Sequence, residues 1–553
     1  MTSTLEGGFM TPLRLAAHIR GLRGLADFAL LLILATACIA GAQTAVTTYH
    51  NDNYRTGWNS TETVLTPANV TSSSFGLLAK IPLDDQIDAV PLVVPGVTIT
   101  AGGNQGTHDV VYIASGNDTV YAIDANVGTV LLSVSLGKPV FAPLGCNNNG
   151  PHVGVDSTPV IDPVAKTLYV IAYTQDKTGP AYRLHALDLG SLVDKMTPEV
   201  VSASQTLSDG TTFNFNAKYQ RQRPGLLLAN GNVYAGFGSF CDYSANLSRG
   251  WLLGWNAATL APLSANQVLD TESTSPDSFF LASIWMSGYG LAADDSGNVL
   301  FVTGNSDYSG GTYNGVTSIQ ESAIKVSANL TSVVDLFTPM NQSNLDQGDT
   351  DFGSGGLLVL PDQPGATPHL AVAAGKDGNM YLMNEDHLGG YSPQSNNVLG
   401  TYNLGAACWC GQSYYVDPDG TSRLVSSLGS QATMWKVLTS PKVSLKQVAH
   451  SPSLTGGQDP GFFTSISSNG NQSPIIWALT RPQSPSNTGI SLYAMNPDAG
   501  GTTMKLLFHT NAGAWPNFGG NSNQVPVVAN GKVYVASNKQ LQIFGLKSQP
   551  KSK

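Results

Sequence analysis

From Asp109 to Gly128 the chain reads DVVYIASGNDTVYAIDANVG, a pattern that returns with drift seven more times. The apolar run VVYIAS meets the turn residues Gly116-Asn117-Asp118, and a second run, TVYAID, ends in Asp124 and then Gly128. β-Branched and aromatic residues on either side of a Gly/Asn turn specify a β-hairpin. One hairpin alone is marginally stable in water. Its recurrence is therefore what constrains the fold.

The later copies are Lys166 to Gly190, Gly231 to Leu260, Gly297 to Leu330, His369 to Asp386, Ser422 to Val437, Pro474 to Gly501 and Gly531 to Leu546. Their first strands centre on Tyr112, Tyr169, Tyr234, Phe301, Val372, Val425, Ile476 and Tyr534, at intervals of 51 to 71 residues. Most hairpins follow a further apolar stretch, such as AVPLVVPG or SGGLLVLPD, and TVLLSVSL follows the first. Each unit thus has room for four antiparallel strands. Such units repeated around an axis form a β-propeller, which leaves only short, protected sheet edges. The expected fold is an all-β, eight-bladed propeller over residues 75–546. Seven blades would follow if the divergent sixth unit were a loop. The last unit holds three evident strands, and FGLLAKIPLD, Phe75 to Asp84, is unclaimed. It is expected to supply the missing outer strand and close the ring.

Residues 1–42 have the marks of an export signal: Arg14, Arg20 and Arg23, then an uncharged run from Phe28 to Ile39, then Ala40-Gly41-Ala42. The apolar run is short for a membrane span, which takes about 20 residues. A lipid anchor at Cys38 is the lesser alternative to cleavage. A secreted or periplasmic monomer is expected, with no membrane span after cleavage. Residues 43–74, including HNDNYRTGWN, read as an ordered lead-in, in which Thr66 could cap a short helix, and 547–553 as a tail. Only 12% of residues are charged, the net charge is −10 and no basic run occurs, which argues against a nucleic-acid partner.

Ligands of a propeller meet loops at the mouth of its central channel, near the start of each innermost strand. The polar positions there are Gln86 and Asp88, His152 and Asp156, Arg221 to Arg223, Trp285, Asp349 and Asp351, Cys408 to Gln412, and Asn521 and Asn523. Polar groups converging in otherwise apolar repeats suit a binding funnel. Arg221 and Arg223 could hold an anionic group. Asp346, Asp349 and Asp351 lie among glycines and could offer oxygens to Ca²⁺, although the spacing lacks a bidentate Glu. Cys146, Cys241, Cys408 and Cys410 are even in number and suit an oxidising compartment. Cys408 and Cys410, flanking Trp409, suit a disulfide made locally or to Cys146 or Cys241, ahead of a soft-metal site. No serine-hydrolase elbow, zinc-protease motif, Walker loop or haem-attachment motif is present.

The ending Tyr-Ala-Ile-Asp-Ala-Asn-Val-Gly, Tyr121 to Gly128, resembles the repeat of the pyrroloquinoline-quinone-type propellers. Ala122, Asp124 and Gly128 match that repeat, as do Ala186 and Asp188, with looser matches at Ala494 and Gly500. Val127 stands where the family has Thr, and Leu132 where it has a docking Trp. The chain as a whole resembles the secreted, poorly characterised quinoprotein-like propellers of bacteria. The resemblance implies two kinds of activity. One is binding of a protein, small molecule or carbohydrate at the channel mouth. The other is oxidation of alcohols or sugars with bound quinone (PQQ) and Ca²⁺, with Asp349 or Asp351 as base or metal ligand. The adjacent cysteine pair of the quinone alcohol dehydrogenases is not matched, because Trp409 separates Cys408 from Cys410. The binding reading is preferred. A hydrolase or lyase acting on polysaccharide is a third, weaker option.

Overall fold

The computed structural model describes residues 43–548 apart from 142–149, 243–247, 274–279, 308–311, 455–456 and 499. Residues 1–42, expected to be an export signal, with Cys38, and likewise Cys146 and residues 549–553 of the tail, therefore lie outside the described residues. No described helix is long and apolar enough to cross a membrane. Among the described residues the longest helical element is the six-residue helix Gln342–Gln347.

Eight antiparallel sheets carry the repeat. Blade 1 consists of Leu92–Ile99, Gly106–Ala114, Thr119–Asp124 and Val130–Ser135, from axis to rim. The innermost strands of blades 2 to 5 are Val160–Asp162, Leu227–Ala229, Ala292–Ala293 and Leu357–Leu360. Those of blades 6 to 8 are Ser413–Val416, Phe463–Asn469 and Val527–Ala529. The sixth unit is a full blade, with Ser422–Leu428 and Gln431–Leu438 as its central hairpin, so the count is eight.

Local chemistry explains the repeat. Asp124 Oδ1 accepts the N–H groups of Asn126 (2.8 Å) and Val127 (3.0 Å), turning the chain out of the third strand. Gly128 completes the turn at φ +76°, with Ala79 and Ile81 against its Cα. Asn256 and Asn384 cap the same turn in blades 3 and 5. Such side-chain-to-backbone bonds favour turns over continued strand.

The ring closes as expected. Phe75–Pro82 pairs antiparallel with Gln540–Leu546 and forms the outer strand of blade 8. Phe75 is fully buried, edge-on to Phe508 at 5.0 Å and 5.6 Å from Trp477. The first and last parts of the chain thus share one sheet.

The lead-in does more than precede the ring. It winds inside the channel and meets the innermost strand of every blade in order. Val46 pairs with Val93 of blade 1, and Thr47 O accepts Ile161 N–H of blade 2. Asn53 Nδ2 donates to Leu228 O of blade 3, and Asn53 O accepts Ala293 N–H of blade 4. Tyr54, Thr56 and Gly57 carbonyls accept from Val359, Tyr414 and Ile466 of blades 5, 6 and 7. Asn59 Nδ2 reaches Val528 O of blade 8. The sequence expectation of a short helix capped by Thr66 is corrected. Those residues make one turn, closed by Val70 N–H on Thr66 O, before the chain leaves for the rim strand.

Buried charge anchors this plug. Arg55 is fully buried, and its guanidinium donates to Leu291 O, Thr48 Oγ1, Tyr49 O, Asp52 O and Leu226 O. Tyr289 marks the inner end of the plug, its hydroxyl 2.9 Å from Arg55 O and 3.0 Å from Gln412 O. Its ring lies so close to Gly356 and Gly411 that a Cβ there would sit 2.1 and 2.0 Å from ring carbons. Glycine is required at both positions.

Candidate functional site: the channel mouth

The plug closes one end of the channel, and the other opens into a funnel of about 670 Å³. Two sets of loops line it. Segments leading into innermost strands bring Arg221 and Arg223 (blade 3), Trp285 (blade 4), Asp349 (blade 5), Trp409 (blade 6), Asp459 (blade 7) and Asn521 (blade 8). Turns after second strands bring Asp242 (blade 3), Asn305, Ser306 and Asp307 (blade 4), and Lys376 (blade 5).

Most of the residues expected at the mouth are there. Arg221, Arg223, Trp285, Asp349, Trp409 and Asn521 line the funnel, and Asp351 lies fully buried in its floor. Asp156 is in the wall, buried, where it takes a hydrogen bond from Arg221 Nε at 3.1 Å. His152 is not among the residues that line the funnel. Its Nδ1 bonds Asp85 at 2.7 Å and its ring packs on Phe141, the residue it pairs with.

The expected acidic trio is also corrected. Asp346 lines the funnel but is bonded to Ser306 N–H, Gln320 and Gln342, and the carboxylates that converge are Asp242, Asp349 and Asp351. A cation already holds two of them. Lys376 Nζ bonds Asp349 Oδ1 at 2.8 Å and forms an ion pair with Asp351. Asp351 Oδ1 also accepts Asn305 N–H (3.0 Å) and lies 3.3 Å from Trp285 Nε1. Burial acts to raise the Asp351 pKa, but Lys376, the Asn305 N–H and the Asp349 side chain hold it below the ordinary range. Half-buried Asp242 is pushed up to about 7 by loss of water and then by the charge of Asp351.

Lys376, Asp242 and Asn305 come from the turns after second strands, not from the segments that lead into innermost strands, and so lie outside the positions expected from the sequence. A signal was available. The turn after the second strand reads SGND, SFCD, GNSD and GKDG in blades 1, 3, 4 and 5, each rich in polar groups within an apolar repeat.

Cys408 and Cys410 are brought together as a pair, their Cα atoms 5.0 Å apart and both side chains buried. Trp409 between them projects into the funnel, its carbonyl taking a hydrogen bond from Arg481 Nη2 at 2.5 Å. Arg481 also binds Asp459 O, Ser522 O and Asn523 Oδ1, tying the loops of blades 6, 7 and 8 into one wall. Cys241 lines the funnel and has a partner of its own.

Buried acids at this end of the ring make stability depend on pH. Burial raises Asp118 to about 8, with the charge of Asp156 adding and a backbone bond from Tyr173 opposing. Asp88 rises to about 7 through burial and then Asp156. A raised carboxyl binds its proton more tightly folded than unfolded, so stability falls as pH climbs from the unfolded pKa near 4 through the folded one. The melting temperature is therefore expected to be higher at pH 5 than at pH 8.5. Asp118→Asn should flatten that pH dependence. Parallel melting curves for the variant and the parent would refute the assignment.

No family model and no curated protein matches the chain. Its fold is similar to solved structures. One is the quinohaemoprotein alcohol dehydrogenase from Comamonas testosteroni, at TM-score 0.58 and 14% identity, covering 93% of this chain and 83% of that one. A second is a quinohaemoprotein alcohol dehydrogenase from Pseudomonas putida HK5, at TM-score 0.60 and 13% identity, covering 92% and 81%. A third is a europium-containing methanol dehydrogenase, at TM-score 0.57 and 9% identity, covering 91% and 98%. Together with the eight closed blades, these likenesses define a quinoprotein-like β-propeller fold. At such identities they define the fold alone.

Proposed function

We propose that this chain is an exported, monomeric binding module that takes a polar small molecule in the funnel. The observation that carries the reading is Arg223. Its guanidinium carbon lies 5.8 Å from the Trp285 ring centroid at the funnel wall, and among the described residues it has no hydrogen-bond or ion-pair partner. Burial, and secondly repulsion from Arg221, lower its pKa to about 9, so it stays cationic at neutral pH. A half-buried cation that feels Asp156 and Asp88 only without direct bonding, beside the Trp285 ring, is suited to complete its shell with a ligand.

A second reading, oxidation of alcohols or sugars by bound quinone, is favoured by the carboxylates beside Trp285. That chemistry also needs a divalent ion. Lys376 already occupies oxygens of Asp349 and Asp351 that such an ion would share, so the residues do not fit bound Ca²⁺.

The test is a thermal-shift screen of polar metabolites against the parent and Asn521→Trp, which narrows the mouth. Stabilising ligands are expected for the parent, with their shifts lost in the variant. The reading is overturned if the shifts survive. Equally decisive against it would be stoichiometric uptake of pyrroloquinoline quinone with Ca²⁺, followed by dye reduction with alcohols or aldoses.

A further inference from the structure

The funnel's charges are unequal. Asp242, Asp307, Asp346, Asp349 and Asp459 line it, against Arg221, Arg223 and Lys376. Arg221 is paired with Asp156, and Lys376 with Asp349 and Asp351. That leaves Arg223 as the cation able to receive an anionic group. Guanidinium and carboxylate match as two parallel N–H···O bonds. Further carboxylates in the lining disfavour a ligand bearing several negative charges, so a single carboxylate is the better match.

The rest of the lining suits hydroxyl groups. Asn305, Asn521 and the Asp carboxylates offer donors and acceptors at fixed positions on blades 4, 5, 7 and 8. Trp285 and Trp409 are half-buried and supply flat apolar surface of the kind that covers the C–H face of a sugar ring. Lys376 Nζ, 5.6 and 5.5 Å from the two ring centroids, holds them in one cluster. Arg481 fixes the Trp409 loop to blades 7 and 8, so the distance from Arg223 across to Asn521 is set before any ligand arrives.

We infer that the ligand is a polyhydroxylated monocarboxylate, a uronic or aldonic acid, bound with its carboxylate on Arg223 and its hydroxyls on the opposite wall. The inference rests on the reading of the funnel as a small-molecule site and adds the ligand's class. It also separates this funnel from one that takes a tricarboxylate quinone, which the acidic wall disfavours.

Isothermal titration at pH 7.5 and low salt tests it, with sodium D-glucuronate, D-galacturonate and D-gluconate against D-glucose, D-galactose and trisodium citrate. At least one acid is expected to bind about tenfold or more tighter than its neutral counterpart, with citrate weaker than the acid. Arg223→Gln should bring the acid to the neutral level, while Arg223→Lys keeps part of the preference. Arg223 forms no bond to other described groups, so both variants should melt like the parent. A differential melt checks this. Equal binding of acid and neutral sugar by the parent overturns the inference while leaving the funnel reading in place. An acid preference that survives Arg223→Gln overturns the role of Arg223. If no acid or sugar binds, the class is wrong, and the screen with Asn521→Trp decides separately whether the funnel binds small molecules at all.

Discussion

Replacing Arg55 by methionine is expected to destabilise the propeller by about 4 kcal/mol, the largest loss from any single exchange outside the blade cores. The guanidinium is fully buried and serves five acceptors, among them Leu226 O and Leu291 O at the starts of two innermost strands. Methionine fills similar volume but leaves those carbonyls without a donor, and each unsatisfied buried group costs about 1–3 kcal/mol. Arg55→Lys should recover little, because one ammonium cannot span five acceptors arranged around a planar fork. The natural control is Arg183→Met. Arg183 is partly exposed on the blade 2 hairpin and paired only with Thr174 and Asp176, so its loss should cost under about 1 kcal/mol. Guanidinium chloride unfolding of the three variants measures the difference. If Arg55→Met costs no more than Arg183→Met, the plug is an ornament of the channel, not its keystone.

Phe75→Ala is expected to cost about 3–4 kcal/mol, through lost burial and the cavity left beside Trp477 and Phe508. Phe75 begins the strand that joins the two ends of the ring, so the loss should also appear as early proteolysis near residues 75–82. Leu77 provides a control within the same strand. It pairs with Phe544 but is 50% exposed, and Leu77→Ala should cost well under 1 kcal/mol. Equal effects of the two exchanges would show that closure depends on backbone pairing and not on the aromatic cluster.

Both predictions concern contacts between residues hundreds of positions apart, and they differ in how far the sequence foretold them. The closing strand was legible, because an unclaimed apolar run near the start matched a missing strand at the end. The plug was not. HNDNYRTGWN showed polar, turn-rich composition, and nothing local to it indicates that Arg55 would find five acceptors in a channel.

The blades themselves were determined by sequence alone. Strand alternation, the Gly/Asn turns and the Asp124-to-Gly128 turn are local interactions, complete within some 20 residues, so each copy announces itself. The divergent sixth unit kept that alternation and is accordingly a blade. The site mixes the two cases. Arg223, Trp285, Asp349 and Trp409 could be placed at the mouth because their positions follow from where innermost strands begin. Which of them would be paired could not. Lys376 meets Asp349 and Asp351, Arg221 meets Asp156, and His152 leaves for Asp85, in each case through side chains from different segments of the ring. Only the closed ring brings those segments together. Local patterning therefore determined the scaffold. Tertiary structure alone decided that Arg221 is bonded to Asp156 while its neighbour Arg223 lies beside Trp285 at the funnel wall.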